Sequence, residues 1–191
     1  MMIVRVLGRR LKLAIPVSII LIMLMLAGSL IPLGAEEGEK IGEELEKLDE
    51  RGLEQGIFLN NFAIALTALA PFLGPIIMGY VAFHTGRFLG WIGLELGMPP
   101  QELIPLALER IILTGYGLLE FLGYGMAVSE SLTLSYYILR ARKLLRNEIR
   151  ILPAIIGIIA LLLLLGALIE AALIKALQNM AMQAPPTIYR G

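Results

Sequence analysis

The sequence predicts an all-α fold, a polytopic transmembrane helical bundle of about five membrane segments in which glycine and proline break some helices. Residues 13–35, 55–86 and 151–169 contain no Asp, Glu, Lys or Arg. About 20 apolar residues in a helix cross a bilayer core, so each stretch is long enough to do so. Lipid offers the backbone no hydrogen-bond partners, which favours helices over an open sheet. A hydrophobic content of 58% with only 17% charged residues agrees with this.

The charges are distributed unevenly, and their distribution predicts an orientation. Lys and Arg favour cytoplasmic segments, whereas acidic residues have little topological weight. We therefore expect a multi-pass protein of the cell membrane with a cytoplasmic N-terminus and, after five crossings, an extracytoplasmic C-terminus. Basic side chains precede the first apolar stretch and recur at 140–150, where Glu148 is the one acid: Arg5, Arg9, Arg10, Lys12, Arg140, Arg142, Lys143, Arg146 and Arg150.

The first transmembrane helix is predicted over residues 13–33, with Pro16 near its start, where a missing amide donor is tolerated. A cleaved signal peptide is the alternative interpretation. Its apolar region normally has about 7–15 residues, and the uncharged stretch here is longer. This length favours a retained helix.

An acidic segment, residues 36–55, follows outside the membrane. Ile41, Leu45 and Leu48 recur at helical spacing within it, which predicts a short amphipathic helix on the outer surface.

Residues 57–139 are predicted to form a broken-helix core, and two layouts satisfy the charge pattern. In one, residues 102–122 and 123–139 are short helices hinged at residues 123–125. In the other, Pro71 to Pro75 forms a hairpin and residues 76–97 make their own crossing. A re-entrant pair with three true crossings also remains open. The last transmembrane helix is predicted over residues 151–174.

Several short motifs in this order resemble the stage II sporulation protein M family of prokaryotic integral membrane proteins. Asn60-Asn61 opens the second helix, Gly74 precedes a proline, and Gly86 is followed four residues later by another glycine. The family's Pro-His-Gly-x-x-Glu element corresponds to residues 115–120, where Gly117 and Glu120 match but Gly and Tyr replace Pro and His. The resemblance covers roughly residues 10–175. It implies a membrane protein that works in an assembly, without established chemistry of its own.

Glu120 is the foremost candidate for a functional residue, because an ionisable side chain within a membrane segment is costly to retain. It could carry a proton. The alternative is a structural carboxylate paired with Arg110, Arg87 or a helix N-terminus. Further intramembrane candidates are His84, Arg87, Glu109, Arg110 and Glu130, with an interfacial or hydrogen-bonding role favoured for the histidine.

Glu170 and Lys175 flank the end of the last helix, where we expect both side chains to reach the surface. The chain has no cysteine and one histidine, so we expect no metal site and no cofactor. No phosphate loop or catalytic triad is recognisable, and we expect no enzyme. The basic residues 140–150 are expected to meet lipid headgroups rather than nucleic acid.

Two functions remain open at this point. The first is a non-catalytic scaffold or assembly component of a membrane complex, with membrane-protein partners or a second copy of itself. The alternative is a permease-like transporter or channel that uses a buried glutamate, because transporters build their sites from broken helices and buried charge.

Overall fold

The computed structural model describes the backbone of residues 2–49 and 52–183, and the side chains of residues 8–45, 52–109 and 114–180. The described residues form seven helices and no strand, which confirms the all-α prediction. The helices are α1 Met2–Ser29, α2 Ala35–Asp49, α3 Leu53–Ala68, α4 Gly74–Glu95, α5 Pro100–Thr114, α6 Tyr116–Arg140 and α7 Arg142–Gln183.

Two of the described helices, spanning Gly8–Ser29 and Arg142–Met180, are long and apolar enough to cross a membrane. Only 28% of the apolar window of each is buried inside the protein. A core helix of a soluble protein would be mostly buried. Large apolar side chains on α1, such as Ile19, Ile20 and Met23, instead face outward.

The first helix begins earlier than predicted, at Met2 rather than near residue 13, and ends at Ser29 rather than near residue 33. Pro16 therefore lies inside the helix and not at its start. The basic N-terminal residues are good helix formers, and their charge does not stop the helix. Pro32 explains the early end, because the residue before a proline disfavours the helical conformation.

Helices α1, α3, α4, α6 and α7 pack against one another and alternate in direction along the chain, so that α1 and α4 run parallel. On α4, Gly86 abuts the backbone of Met25 and Gly90 abuts that of Ser29, so both helices advance in the same direction. A Cβ at Gly86 would overlap the Met25 carbonyl oxygen. The glycine spacing thus permits this close approach of two backbones.

Helix α6 runs antiparallel to both α1 and α7. On α6, Glu130 meets Arg10 while Phe121 meets Ser18, so α6 runs opposite to α1. Gly123 of α6 lies against Leu163 of α7, and the earlier Glu120 lies against the later Gly166. The core forms where these helices meet, and its largest fully buried apolar side chains are Met78, Ile155, Ile159 and Leu163.

The chain reverses between α3 and α4, as the hairpin layout predicts. Phe72 adopts a φ of 67° in this turn. Two serines of α6 hold the turn: the Phe72 N–H donates to Ser135 Oγ at 2.7 Å, and Ser131 Oγ donates to the Ala70 carbonyl at 2.6 Å. The turn's free backbone groups therefore have partners on a neighbouring helix.

The predicted hinge at residues 123–125 is wrong. Helix α6 runs unbroken through it, and the chain breaks instead at Gly115, whose φ of 78° is left-handed. Gly123 and Gly125 serve close packing, against Leu163 and against Ala14 and Ser18 respectively. A glycine within an apolar helix marks a near neighbour as readily as a break.

The two ends of the bundle carry opposite charge. One end, termed the basic end, holds the start of α1, the α3–α4 turn, the end of α6 and the start of α7. Its exposed cations are Arg9, Lys12, Arg140, Arg142, Lys143, Arg146 and Arg150. The opposite end, termed the acidic end, holds α2 with its exposed residues Glu36, Glu37, Glu39, Glu43 and Glu44.

Candidate functional site

A cavity of about 600 Å³ lies toward the acidic end, among α2, α3, α4, α5 and α6, and also reaches α7. Its lining is predominantly apolar, with a few polar side chains at one side. Cavities of this size and character are typical of small-molecule sites. The aromatic and polar lining residues include Asn60, Asn61, His84, Phe88, Tyr116, Glu120, Phe121, Tyr124 and Glu170.

Glu120 lies at the wall of this cavity, and its partners are an amide and a second carboxyl group. Asn61 Nδ2 donates to Glu120 Oε1 at 2.6 Å, across 59 positions of the sequence. Glu170 of α7 lines the same cavity, one helical turn beyond Gly166, against which the Glu120 side chain lies. Glu120 and Glu170 are termed the carboxyl pair. Two carboxyl groups can share a hydrogen bond only if one of them holds a proton.

Helix packing explains why these three residues meet. Gly166 of α7 has no side chain, and Glu120 and the Tyr116 carbonyl oxygen lie directly against it. Glu170 follows one turn later on the same face of α7, which brings it to Glu120. Helix α3 crosses α7 beside this point, and an ion pair of 2.8 Å between Glu54 and Lys175 fixes its outer end.

Glu170 was predicted to reach the surface, and this prediction is wrong. It lines the cavity, whereas Lys175, five residues later, is exposed and pairs with Glu54. The sequence does not distinguish the two because both lie near the predicted end of the helix. In fact α7 continues as helix to Gln183, so Glu170 lies well inside it.

The structure does not place the predicted partner Arg87 at Glu120. Arg87 is not one of the groups that bond Glu120: its guanidinium donates to the backbone carbonyl of Ile31, at 3.1 Å, just beyond the end of α1. The side chain of Arg110 lies outside the described residues. Glu109 is exposed on α5 and does not line the cavity.

His84 also lines the cavity. Its Nε2 lies 3.1 Å from Glu37 Oε1 of α2, and its ring contacts Tyr80. Helix α2 in turn directs Ile41 and Leu45 toward the cavity, while the side chain of Leu48 lies outside the described residues. The amphipathic acidic helix therefore covers the cavity with its apolar face and leaves its carboxylates outside.

The glycines singled out by the family resemblance serve packing rather than chemistry. Gly74 abuts the Ala68 carbonyl and the Ser131 side chain, and Gly86 abuts α1. Gly117 is buried beside the cavity, one turn before Phe121. Asn60 is exposed, and only a long contact of 3.4 Å joins it to Asn61.

Glu130 lies in a second buried cluster, nearer the basic end, with Arg10 and Glu148. Arg10 Nε donates to Glu130 Oε2 at 2.7 Å, and Arg10 Nη2 pairs with Glu148 Oε1. The three side chains are 7%, 0% and 6% exposed. These residues are termed the Arg10 cluster. The charge pattern of the sequence explains Arg10 and Glu148 by topology alone, and the one signal of this cluster is that Glu148 is the single acid within residues 140–150.

The described residues contain no group of three or more His, Asp or Glu side chains that could hold a metal ion. What they offer is two acidic sites between α6 and α7, one partly buried and one fully buried. The first faces a cavity and the second is enclosed. The cavity site can exchange a proton and attract a cation, and its aromatic neighbours can add cation–π attraction.

Comparisons with known proteins found no matching family model, no significantly similar curated protein and no significantly similar solved structure. The resemblance to the stage II sporulation protein M family therefore stays a prediction. Two of its motif positions, Asn61 and Glu120, are hydrogen-bonded to each other.

Proposed function

We propose that the chain is a multi-pass protein of the cell membrane in which α1, α3, α4, α6 and α7 make five crossings. The alternating directions of these helices support this number, with α2 and α5 at the outer side. Most of the exposed cations lie at the basic end, while Lys40 and Lys175 lie at the acidic end. This excess supports a cytoplasmic N-terminus and an extracytoplasmic C-terminus. The many outward-facing apolar side chains of α1 and α7 would then contact lipid.

The integration of α1 into the bundle supports a retained first helix over a cleaved signal peptide. Its Ala14, Leu21 and Met25 belong to the buried core. Arg10 of the same helix pairs with carboxyl groups of α6 and α7. Removal of α1 would expose this core and leave those charges unpaired.

We propose further that the protein is transporter-like and binds a lipophilic organic cation in its cavity in exchange for the proton of the carboxyl pair. One observation carries this proposal: two glutamates, Glu120 and Glu170, line a cavity of about 600 Å³ whose other walls are mainly apolar and aromatic. Apolar walls favour a ligand with apolar substituents, and the carboxyl groups favour a ligand with a positive charge. The rings of Tyr116, Phe121 and Tyr124 can contact such a cation by their faces.

The charges of the carboxyl pair are compatible with an exchange. With one proton between them, the two carboxyl groups carry a single negative charge beside apolar walls. An entering monovalent cation competes with the proton for the same oxygens. Replacement of that proton by the cation leaves the net charge of the site unchanged at one negative charge, and release of the cation restores the shared proton. Alternation between these two states is the basis of coupled exchange.

Binding of tetraphenylphosphonium to the protein in lipid nanodiscs tests this proposal. We expect saturable binding with release of about one proton per cation, measured in weakly buffered solution. Glu120→Gln and Glu170→Gln should abolish the proton release and weaken binding at least tenfold. Glu109→Gln is the matched control, because this carboxylate is exposed on α5 and outside the cavity, and it should bind as the wild type does.

Absence of saturable binding by the wild-type protein would contradict the proposal, and so would an equal loss in Glu109→Gln. In proteoliposomes, an imposed pH gradient should drive tetraphenylphosphonium accumulation by the wild type but not by Glu120→Gln. Saturable binding without any such accumulation would show that the protein binds the cation but does not transport it.

A scaffold or assembly role is the second candidate, and the exposed acidic face of α2 favours it. Glu36, Glu39 and Glu43 extend from this helix away from the bundle, so they are available to a basic surface of a membrane-protein partner. Purification in mild detergent should then recover a stoichiometric partner that glutamine substitutions on α2 release and Glu120→Gln retains. Recovery of the chain alone, or a partner unaffected by the α2 substitutions, would contradict this role.

A further inference from the structure

The Arg10 cluster contains more negative than positive charge, although it is enclosed. One guanidinium faces two carboxyl groups, and the three side chains are at most 7% exposed. If both carboxyl groups were ionised, the cluster would hold one uncompensated negative charge. Burial of an unpaired charge is strongly unfavourable, so an additional positive charge is required.

A specific atom lacks a partner. Glu130 Oε1 is buried and has no hydrogen-bond partner among the described residues. Glu130 as a whole is fully buried, while its other oxygen accepts from Arg10. An ionised oxygen without a donor is among the costliest groups that a protein interior can contain.

Among the described residues, Arg10 is the one positively charged group that faces Glu130. Helix α1 contributes Arg10, α7 contributes Glu148, and the α3–α4 turn reaches α6 through the uncharged Ser131 and Ser135. The cations next to Arg10 in the sequence, Arg9 and Lys12, have exposed side chains.

A metal ion fits this cluster poorly. Hard cations require several oxygen ligands at once, and the guanidinium would repel them. A proton needs a single oxygen and no additional space. Glu148 binds the same guanidinium as Glu130, so a proton on one carboxyl group lies close to the other.

We propose that the Arg10 cluster is a second proton-binding site, in which Glu130 and Glu148 share one proton beside Arg10. The cluster is then neutral, with one carboxylate balancing the guanidinium and one carboxyl group uncharged. It lies on the same helix as Glu120, ten residues and about 15 Å farther along α6. The proposal goes beyond the cavity function and does not depend on it.

Infrared spectroscopy of the protein in nanodiscs tests this proposal, because a protonated carboxyl group has a carbonyl band distinct from that of a carboxylate. The Glu120→Gln variant serves as the background, since it removes the carboxyl pair of the cavity. At neutral pH this background should retain a protonated-carboxyl band. The added substitution Glu130→Gln should abolish that band while leaving the apparent melting temperature close to that of the background, because glutamine resembles a neutral glutamic acid in shape.

The substitution Glu148→Gln is the sharper test. It leaves one guanidinium and one carboxylate, which balance each other, so Glu130 should ionise and the band should again disappear. Glu148→Asp keeps the second carboxyl group and should keep the band. Glu109→Gln is the control and should have no effect on it. Circular dichroism of each variant confirms that the helices are intact.

Absence of a protonated-carboxyl band that depends on Glu130 in the Glu120→Gln background would overturn the proposal. Persistence of the band in a folded Glu148→Gln variant would overturn it as well, because apolar burial alone would then hold the proton. If Glu148→Gln fails to fold, loss of the band in the folded Glu148→Asp variant would also refute the sharing of one proton between two carboxyl groups.

Discussion

At the scale of single residues, the hydrogen bond between Asn61 and Glu120 best explains how the cavity wall is held. Its length of 2.6 Å and its partly buried position distinguish it from the exposed contact of Asn60 at 3.4 Å. An amide that orients a buried carboxyl group satisfies one of its oxygens and fixes its rotamer. The neighbouring asparagines therefore differ in role, although the sequence presents them as a pair.

Asn61→Ala should lower the stability of the purified protein by about 1–3 kcal/mol, because it leaves a buried carboxyl oxygen without its donor. Asn60→Ala should change it by less than about 0.5 kcal/mol, as is usual for exposed positions. Thermal unfolding in one detergent at one pH measures both. An equal or larger loss in Asn60→Ala would contradict the assigned roles.

Glu120 could be singled out from the sequence because a lone acid in an apolar stretch is conspicuous. Its partner Glu170 could not, since fifty positions separate the two and only the packing at Gly166 brings them together. The sequence did not indicate the burial of Arg10 for a different reason. Its charge already had a sufficient explanation as part of the basic N-terminal segment, yet it is 5% exposed whereas Arg9 and Lys12 are exposed.

At the scale of helices and turns, close backbone contacts determine which elements pair. The α1–α4 contact requires a glycine at 86, because any Cβ there would overlap a carbonyl oxygen of the facing helix. Gly79 lies on the same helix, but a Cβ there would meet only Leu24 Cδ1, at 3.7 Å. The two glycines form a matched pair for substitution.

Gly86→Ala should destabilise the protein by about 1–3 kcal/mol, because overpacking forces the two helices apart. Gly79→Ala should be neutral or stabilise it by up to about 1 kcal/mol, since alanine favours the helix. Thermal unfolding of the two variants under identical conditions provides the comparison. A Gly86→Ala variant as stable as Gly79→Ala would show that α1 and α4 do not approach as described.

The α3–α4 turn depends on α6 in a similar way. Ser135→Ala would leave the Phe72 N–H without its acceptor and should cost about 1–3 kcal/mol. Thr133→Ala is the control, because its hydroxyl bonds only the Ser129 carbonyl of its own helix. Protease cleavage within residues 69–73 should increase in Ser135→Ala and not in Thr133→Ala, and equal cleavage of both would argue against this support.

This turn belongs to one of the two layouts that the sequence leaves open, the one in which two prolines within five residues stop an apolar helix. The sequence does not show which glycine of residues 102–139 breaks the chain, and so does not predict the continuity of α6. Glycine permits a left-handed residue at 115 and close packing at 123 and 125, and the local sequence does not distinguish these uses. Only the position of the facing helix decides whether a glycine breaks a helix or allows close packing.

At the scale of the whole molecule, the distribution of charge and apolar surface defines an axis from the basic end of the bundle to the acidic end. Most exposed cations lie at one end, the exposed carboxylates of α2 lie at the other, and apolar side chains cover the sides of α1 and α7. The two buried acidic sites lie at different depths along this axis, the cavity site toward the acidic end and the Arg10 cluster toward the basic end. The central claim is that the chain crosses a membrane five times, with this axis across the bilayer.

Single-cysteine labelling in intact cells tests that claim most directly, because the chain has no cysteine of its own. Cysteines replace Glu43, Phe72, Glu95, Lys143 and Gln178, all of which have exposed side chains. Five crossings predict that a membrane-impermeant maleimide labels positions 43, 95 and 178 from outside, and positions 72 and 143 only after permeabilisation. Labelling of position 72 from outside together with 43, or no labelling of any position before permeabilisation, would contradict the account.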